Sequence, residues 1–85
     1  MSSESAPPPS ESRDVILETE PVELYKILKF EALVSSGGEA KMVIDDGLVF
    51  VNGELETRRR RKIRRNDVID FDCIRLNMVV DHDAA

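Results

Sequence analysis

Two stretches of the chain repeat apolar residues at the spacing of an α-helix. The apolar face of the first stretch is formed by Leu24, Ile27 and Leu28. Pro21 suits the first position of a helix, where a missing N–H costs nothing, and Glu23 would lie in the first turn, opposite the helix dipole. The pattern therefore predicts a first helix over about residues 21–32.

A second, shorter helix is indicated by the signals at its two ends. Ser36 and Glu39 have the spacing of a capping box, in which the two side chains satisfy free backbone N–H groups. Gly47 fits the left-handed position that often follows a helix. The buried face between these signals is formed by Ala40, Val43 and Ile44. A helix this short is marginal alone in water, so it must pack against other elements.

The remaining apolar runs are separated by turn signals and are typical of strands. Asn52-Gly53 lies between two such runs, and both residues tolerate the positive φ that a type I′ hairpin turn requires. Asn66-Asp67 predicts a further turn. The predicted strands are Leu48–Val51, Glu54–Thr57, Val68–Phe71 and Ile74–Val80, with Val15–Leu17 as a short edge strand. The sequence thus predicts an α+β fold in which two short helices pack on a small antiparallel β-sheet.

The ends of the chain differ from its centre in composition. Residues 1–12 contain no large apolar side chain after Met1 and are predicted to form a disordered Ser/Pro/acidic tail. Residues 81–85 are predicted to form an acidic C-terminal tail, which leaves residues 13–80 as one domain. The net charge of -5 belongs to the flanks, because the stretch 22–78 carries 11 basic and 10 acidic residues.

One segment concentrates positive charge. Seven of the eight residues from Arg58 to Arg65 are basic. A block this dense acts through its local field whatever the net charge, and it indicates a phosphate-bearing partner, in the first place nucleic acid. Arginine predominates, which favours forked contacts to phosphate and stacking on bases. Ile63 is expected to turn inward and anchor the segment.

A second candidate anion site lies at the start of the second predicted helix. The unpaired N–H groups there carry a partial positive charge. Gly37 and Gly38 would let a phosphate approach closely, and Ser35 or Ser36 could donate a hydroxyl. Lys41 lies about one turn further along and could lean toward the same anion. The alternative is that these residues only cap the helix and turn the chain.

Several of these segments together resemble the S4-like RNA-binding domain, most closely the small single-domain bacterial proteins of that family. The resemblance spans about residues 22–80. The matching residues are Val34-Ser35-Ser36-Gly37-Gly38-Glu39-Ala40-Lys41, Ile44, Gly47-Leu48-Val49-Phe50-Val51-Asn52-Gly53-Glu54, Thr57-Arg58-Arg59, Lys62-Ile63 and Asp67-Val68-Ile69. Asn66 stands where many members have Gly, and Asn tolerates positive φ nearly as well.

The resemblance implies an S4-like, αL-type fold and a non-catalytic module that recognises structured RNA. Ribosomal RNA, a ribosomal particle or a tRNA-like structure is the expected target. The candidate RNA-binding residues are Ser35, Ser36, Gly37, Gly38, Lys41, Asn52, Arg58, Arg59, Arg60, Arg61, Lys62, Arg64 and Arg65. Most of the four aromatic residues are expected to be in the core, which favours folded RNA over single-stranded RNA.

Other interpretations of the basic block stay open at this point. It could be a solubilising loop or a targeting signal read by a receptor. The alternative function is that of a protein-interaction adaptor whose basic face docks an acidic partner.

Little in the sequence suggests catalysis or a bound cofactor. His82 is the only histidine and Cys73 the only cysteine, so the two cannot complete a tetrahedral zinc site. The chain has no P-loop, and no apolar run reaches the length of a membrane span. A cytoplasmic, non-enzymatic monomer without cofactor or metal is therefore expected.

Overall fold

The computed structural model describes residues 9–79. The predicted tails fall mainly outside this range, since it contains nothing of residues 81–85 and only residues 9–12 of the first tail; the predicted strand end at Val80 is also outside. Within the range lie two helices, α1 (Leu24–Phe30) and α2 (Gly37–Asp45), and the strands β1 (Glu11–Ile16), β2 (Val22–Glu23), β3 (Val49–Val51), β4 (Glu54–Leu55), β5 (Lys62–Ile63), β6 (Val68–Phe71) and β7 (Ile74–Val79).

The larger sheet has five strands in the order β1-β7-β6-β3-β4. The pairs β3–β4, β3–β6 and β6–β7 are antiparallel, whereas β1 pairs with β7 in parallel. Strands β2 and β5 form a separate antiparallel pair. The α+β prediction is confirmed, but the sheet is mixed rather than antiparallel. Parallel strands need a long crossover connection. Both helices and the other strands of the sheet lie between β1 and β7 in the chain and provide that connection.

The hydrophobic core lies between the helices and the larger sheet. Alternate residues of β3 and β7 point into it, as a strand with one buried face requires. Ile63 of β5 is fully buried, as expected for an anchor of the basic segment. The core residues are Leu17, Leu24, Ile27, Leu28, Val34, Ala40, Val43, Ile44, Val49, Val51, Ile63, Ile69, Leu76 and Met78.

The first helix is shorter than predicted. Val22 and Glu23 do not begin α1, because they are extended and pair with Ile63 and Lys62 of β5. The helix ends at Phe30, and Ala32 adopts a φ of 60°. Pairing in the second sheet thus overrides the helix-start signal at Pro21, and Glu23 is the residue that precedes the helix rather than one in its first turn.

Strand β1 begins before the predicted domain boundary. Glu11 and Ser12 were expected in the disordered tail, yet they pair with Ile74 and Arg75 of β7. Composition could not reveal this, since the pairing uses backbone groups and needs no large apolar side chain. The strand lies at the edge of the sheet, as predicted for Val15–Leu17.

The predicted turns are formed by the expected residues. Asn52 and Gly53 have φ values of 54° and 83°, Asn66 has 75°, and Gly47 has 78° after α2. The sequence did not indicate that the β6–β7 turn also places its two residues, Asp72 and Cys73, at positive φ. Neither helix of the described range is long and apolar enough to span a membrane.

Candidate nucleic-acid interface

The basic block, Arg58 to Arg65, begins with a tight turn beside the start of α1. The amide of Arg61 donates to the carbonyl of Arg58 at 3.2 Å and closes the turn. The carbonyls of Arg61 and Arg59 accept hydrogen bonds from the amides of Leu24 (2.9 Å) and Tyr25 (3.2 Å). These carbonyls satisfy helix N–H groups that would otherwise be free. Residues Arg58–Lys62, hereafter the basic turn, are therefore held by their backbone against α1.

A buried carboxylate holds the side chains of the same turn. Glu56 has only 7% of its side chain exposed. Its oxygens accept hydrogen bonds from Arg58 Nε at 2.9 Å and Nη2 at 3.1 Å, from the Arg58 amide at 2.9 Å, and from Arg61 Nη1 at 2.6 Å. These bonds, those from Arg58 above all, lower the pKa of Glu56 to about 2, although burial opposes the shift. Arg58 nevertheless keeps 72% of its side chain exposed.

Two further arginines of the basic block are used to tie elements together. Arg59 donates to both carboxylate oxygens of Asp45 in α2, with Nε 3.0 Å from Oδ1. Arg65 donates to Glu20 at 2.7 Å and to the carbonyl of Leu17 at 3.3 Å. Their guanidinium groups have protein partners, so these two arginines serve the fold first.

The other three cations of the block have no ion-pair partner among residues 9–79. Arg60, Lys62 and Arg64 are exposed, and the ion pairs of the segment involve only its other arginines. Arg60 and Lys62 line an open concavity together with Arg58 and Arg61, and no other residue of the range 9–79 contributes to its lining. The basic block thus divides into tethering residues and residues that present positive charge to solvent.

The start of α2 is occupied by its own cap. Ser36 Oγ accepts from the Glu39 amide at 3.1 Å. The carboxylate of Glu39 accepts from the hydroxyl of Ser35 at 2.6 Å and from its amide at 2.8 Å. The hydroxyl bond is the main cause that lowers the pKa of Glu39. The glutamate therefore reaches one residue further back than in a standard capping box, and it places a negative charge where a phosphate was expected.

This geometry changes the interpretation of several predicted site residues. Both serines act in the cap: the Ser35 hydroxyl donates to Glu39, whereas Ser36 Oγ accepts from the Glu39 amide and still has its own O–H to donate. Gly37 and Gly38 occupy the first turn of α2, and a side chain at Gly38 would meet little beyond Ser36. The close approach expected at these glycines is sterically open but electrostatically opposed by Glu39.

Asn52 is likewise committed to the fold. Its Nδ2 donates to Asp67 at 3.1 Å, and its Oδ1 accepts from the amide of Val68 at 2.9 Å. Both ends of the side chain therefore join the β3–β4 turn to the start of β6. The role that these bonds support is to fix the register of two strands rather than to contact a ligand.

Tyr25 connects the two predicted sites and was missed as a site residue. The ammonium of Lys41 lies 4.8 Å from the centroid of its ring, and a Cβ built on Gly37 would be 3.9 Å from two ring carbons. The backbone amide of Tyr25 donates a hydrogen bond to the carbonyl of Arg59. Tyr25 thus brings Lys41 and the basic turn to one side of the molecule. The available signal was its position, one residue after Leu24 and off the Leu24–Ile27–Leu28 stripe.

The aromatic residues are less buried than the sequence suggested. Tyr25, Phe50 and Phe71 are half-buried, and Phe30, at the last position of α1, is 69% exposed. The expectation that most of them are core residues is therefore wrong, because none is fully buried; Tyr25 and Phe71 only pack against the core. Tyr25 and Phe30 lie on α1, Phe50 on β3 and Phe71 on β6, so the four do not form the row of exposed rings on one sheet face that single-strand binders use.

No cluster of three or more His, Cys, Asp or Glu side chains within residues 9–79 is placed to hold a metal ion. Cys73 is exposed in the β6–β7 turn.

Comparison with known proteins gives relatives of similar size. The chain is 44% identical over 50 residues to the Escherichia coli (strain K12) protein named "Putative RNA-binding protein YbcJ", an alignment that covers 59% of this chain and 71% of the relative. It is 34% identical over 58 residues to "Probable ribosome maturation protein RlbA" of Bacillus subtilis (strain 168), covering 68% of this chain and 82% of the relative.

The family comparison covers most of the described range. The model of the S4 domain matches residues 15–79, from near the end of β1 to the end of β7. The match includes both helices, the basic turn and the strands that hold it. With this match, the relatives and the observed α+β fold, the chain belongs to the S4 domain family.

Proposed function

We propose that this chain is a non-catalytic RNA-binding protein that recognises structured RNA through the basic turn and Lys41. Ribosomal RNA, a ribosomal particle or a tRNA-like structure is the proposed target. The observation that carries the proposal is the concavity lined only by basic residues on a chain of net charge -5. The printed names of the Escherichia coli and Bacillus subtilis relatives support it.

The proposed contacts are those that the fold leaves open. Within residues 9–79, Arg60 and Lys62 have no ion-pair partner, and Arg58 remains largely exposed beside them. Such groups bind phosphate by charge and forked hydrogen bonds, which positions an RNA without reading its sequence. Lys41 extends the same face across Tyr25. Recognition by shape and phosphate position is typical of structured RNA. The described range has no row of exposed aromatic rings, which a binder of single-stranded RNA would use.

RNA crosslinking with sequencing from cells tests this proposal. The variant to use is Arg60→Glu with Lys62→Glu, because both side chains lack ion-pair partners in the described range. Reversing Arg58, Arg59 or Arg61 would also break ion pairs with Glu56 or Asp45, so a loss of RNA would not separate binding from folding. We expect one RNA class from the wild type and its loss in the variant.

Lys29→Glu is a control that reverses a single charge away from the proposed face. Lys29 is exposed in the last turn of α1, whereas the basic turn caps the first turn. This variant should recover RNA as the wild type does. Equal recovery from all three proteins would overturn the proposed face.

Nuclease treatment of a lysate tests the adaptor alternative. We expect full digestion of RNA to release the protein from large particles. An association that survives digestion would overturn the proposal and favour an acidic protein partner docked on the same basic face.

A further inference from the structure

Two acidic side chains are buried in the described part of the chain, and they are used differently. Asp70 faces one arginine, Arg75, on the neighbouring strand β7. Glu56 faces two arginines, and both belong to the basic turn. Asp70 therefore contributes to the sheet alone, whereas Glu56 lies beneath the surface proposed to contact RNA.

Burying a carboxylate is costly unless its oxygens are well paired. The side chains of Arg58 and Arg61 provide three hydrogen bonds to Glu56, and the Arg58 amide provides a fourth. Because the carboxylate is enclosed and fixed, it restricts the orientation of both guanidinium groups. An arginine without such a partner would keep its conformational freedom until it bound the ligand, and losing that freedom on binding would lower the affinity.

Donors remain on both arginines after this pairing. Arg58 uses Nε and Nη2 on Glu56, while Arg61 uses only Nη1. Among residues 9–79, Arg58 Nη1 and the Nε and Nη2 of Arg61 have no hydrogen-bond acceptor. These arginines line the concavity with Arg60 and Lys62. Four cations above one buried carboxylate leave a net positive charge at the surface.

We propose that Glu56 is a positioning residue that orients Arg58 and Arg61 to clamp, together with Arg60 and Lys62, a single phosphate of the RNA backbone. The inference rests on the proposed function and adds to it the ligand group and the residue that shapes its site. It also makes a prediction opposite in sign to that of simple electrostatics. A carboxylate that only reduces positive charge weakens RNA binding, so its removal should strengthen binding; a positioning carboxylate does the reverse.

Two variants separate charge from geometry. Glu56→Gln keeps the size of the side chain and removes its charge. Glu56→Asp keeps the charge but is one methylene shorter, so it cannot reach both arginines as the glutamate does. We expect each folded variant to bind purified bacterial ribosomal RNA about tenfold more weakly, the equivalent of one charge-assisted contact. The salt dependence of binding should also become shallower by about one phosphate equivalent.

Asp70→Asn is the matched control, since it removes the other buried carboxylate without touching the basic turn. It should lower the melting temperature and leave the affinity of the folded protein unchanged. Equal or tighter RNA binding by folded Glu56→Gln and Glu56→Asp would overturn the inference. Failure of the wild type to bind RNA would instead overturn the proposed function, so the two failures are distinguishable.

A measurement on the wild type decides the matter if the Glu56 variants do not fold. The side-chain resonances of Arg58 and Arg61 are followed by NMR while ribosomal RNA fragments are added, and then while inorganic phosphate is added. We expect both arginines to shift with RNA at concentrations where phosphate alone has little effect. Resonances that stay unchanged with RNA, or that respond only to free phosphate, would overturn the RNA phosphate site.

Discussion

The start of α2 and the basic turn are both candidate anion sites, but the fold uses them in opposite ways. At α2 the acidic partner, Glu39, is half-buried and bonds to Ser35 beside the helix end. In the basic turn the acidic partner, Glu56, is buried beneath the arginines. One carboxylate would therefore compete with an incoming phosphate, and the other would support the groups proposed to bind it. The position of the counter-charge separates the helix cap from the proposed binding surface.

The strongest consequence concerns salt. If the RNA-binding face as a whole neutralises about four phosphates, one of them in the basic turn, log affinity should fall with log salt with a slope between about -3 and -4. RNA affinity would then drop on the order of a hundredfold between 50 and 200 mM salt. Fluorescence anisotropy with labelled ribosomal RNA fragments measures the slope. A flat response would mean that phosphate contacts do not drive binding and would remove the contrast between the two sites.

Acid should weaken the fold through Glu56. Its pKa is about 2 in the folded protein against an ordinary value of 4.5. Because the folded-state pKa is lowered, the stabilisation is present at neutral pH and is lost as the pH falls from about 4.5 toward 2. The shift corresponds to roughly 3 kcal/mol. Urea unfolding across this range should show the loss, and Glu56→Gln should start less stable and change less with pH.

The cap of α2 should affect stability and not RNA binding. Ser36→Ala removes the hydroxyl that accepts from the Glu39 amide and should lower the free energy of unfolding by about 1 kcal/mol. RNA affinity of the folded variant should stay within about twofold of the wild type, because the basic turn is unchanged. Thermal unfolding and anisotropy measure the two quantities. A large loss of affinity without a loss of stability would return Ser36 to the binding site.

The smallest expected effect tests whether Glu39 opposes an anion. Glu39→Gln removes the negative charge over the helix end while keeping an acceptor for Ser35. RNA binding at low salt should strengthen by no more than about threefold, since one charge near the protein surface contributes less than about 1 kcal/mol. A weaker affinity would show that Glu39 supports the interface and does not oppose an anion.

Much of the fold could be predicted from local signals. The Asn52-Gly53 turn, the Ser36 cap and the Gly47 helix end each depend on a few neighbouring residues, and the structure forms all three. The apolar stripes of both helices also pack as their spacing predicts. The β2–β5 and β1–β7 pairs were missed because they join segments far apart in sequence, and their backbone hydrogen bonds leave little trace in side-chain pattern.

The candidate site could be predicted only in outline. The basic block is evident from composition, but its division into tethering and exposed cations depends on where Asp45, Glu20 and Glu56 lie in space. Asn52 and Ser35 have the chemistry of ligand-binding residues and are used by the fold. Tyr25 has no charge to mark it. Which polar groups remain available depends on tertiary pairing, which a sequence pattern does not contain.

The most direct test of the account compares two single charge reversals in vitro. Arg60→Glu changes an exposed cation of the basic turn, and Lys29→Glu makes the same change at the far end of α1. Affinity for ribosomal RNA fragments is measured at low salt after both variants are shown to be folded. We expect at least a tenfold loss for Arg60→Glu and little change for Lys29→Glu. Equal losses, or none in either variant, would contradict the claim that the basic turn is the RNA-binding surface.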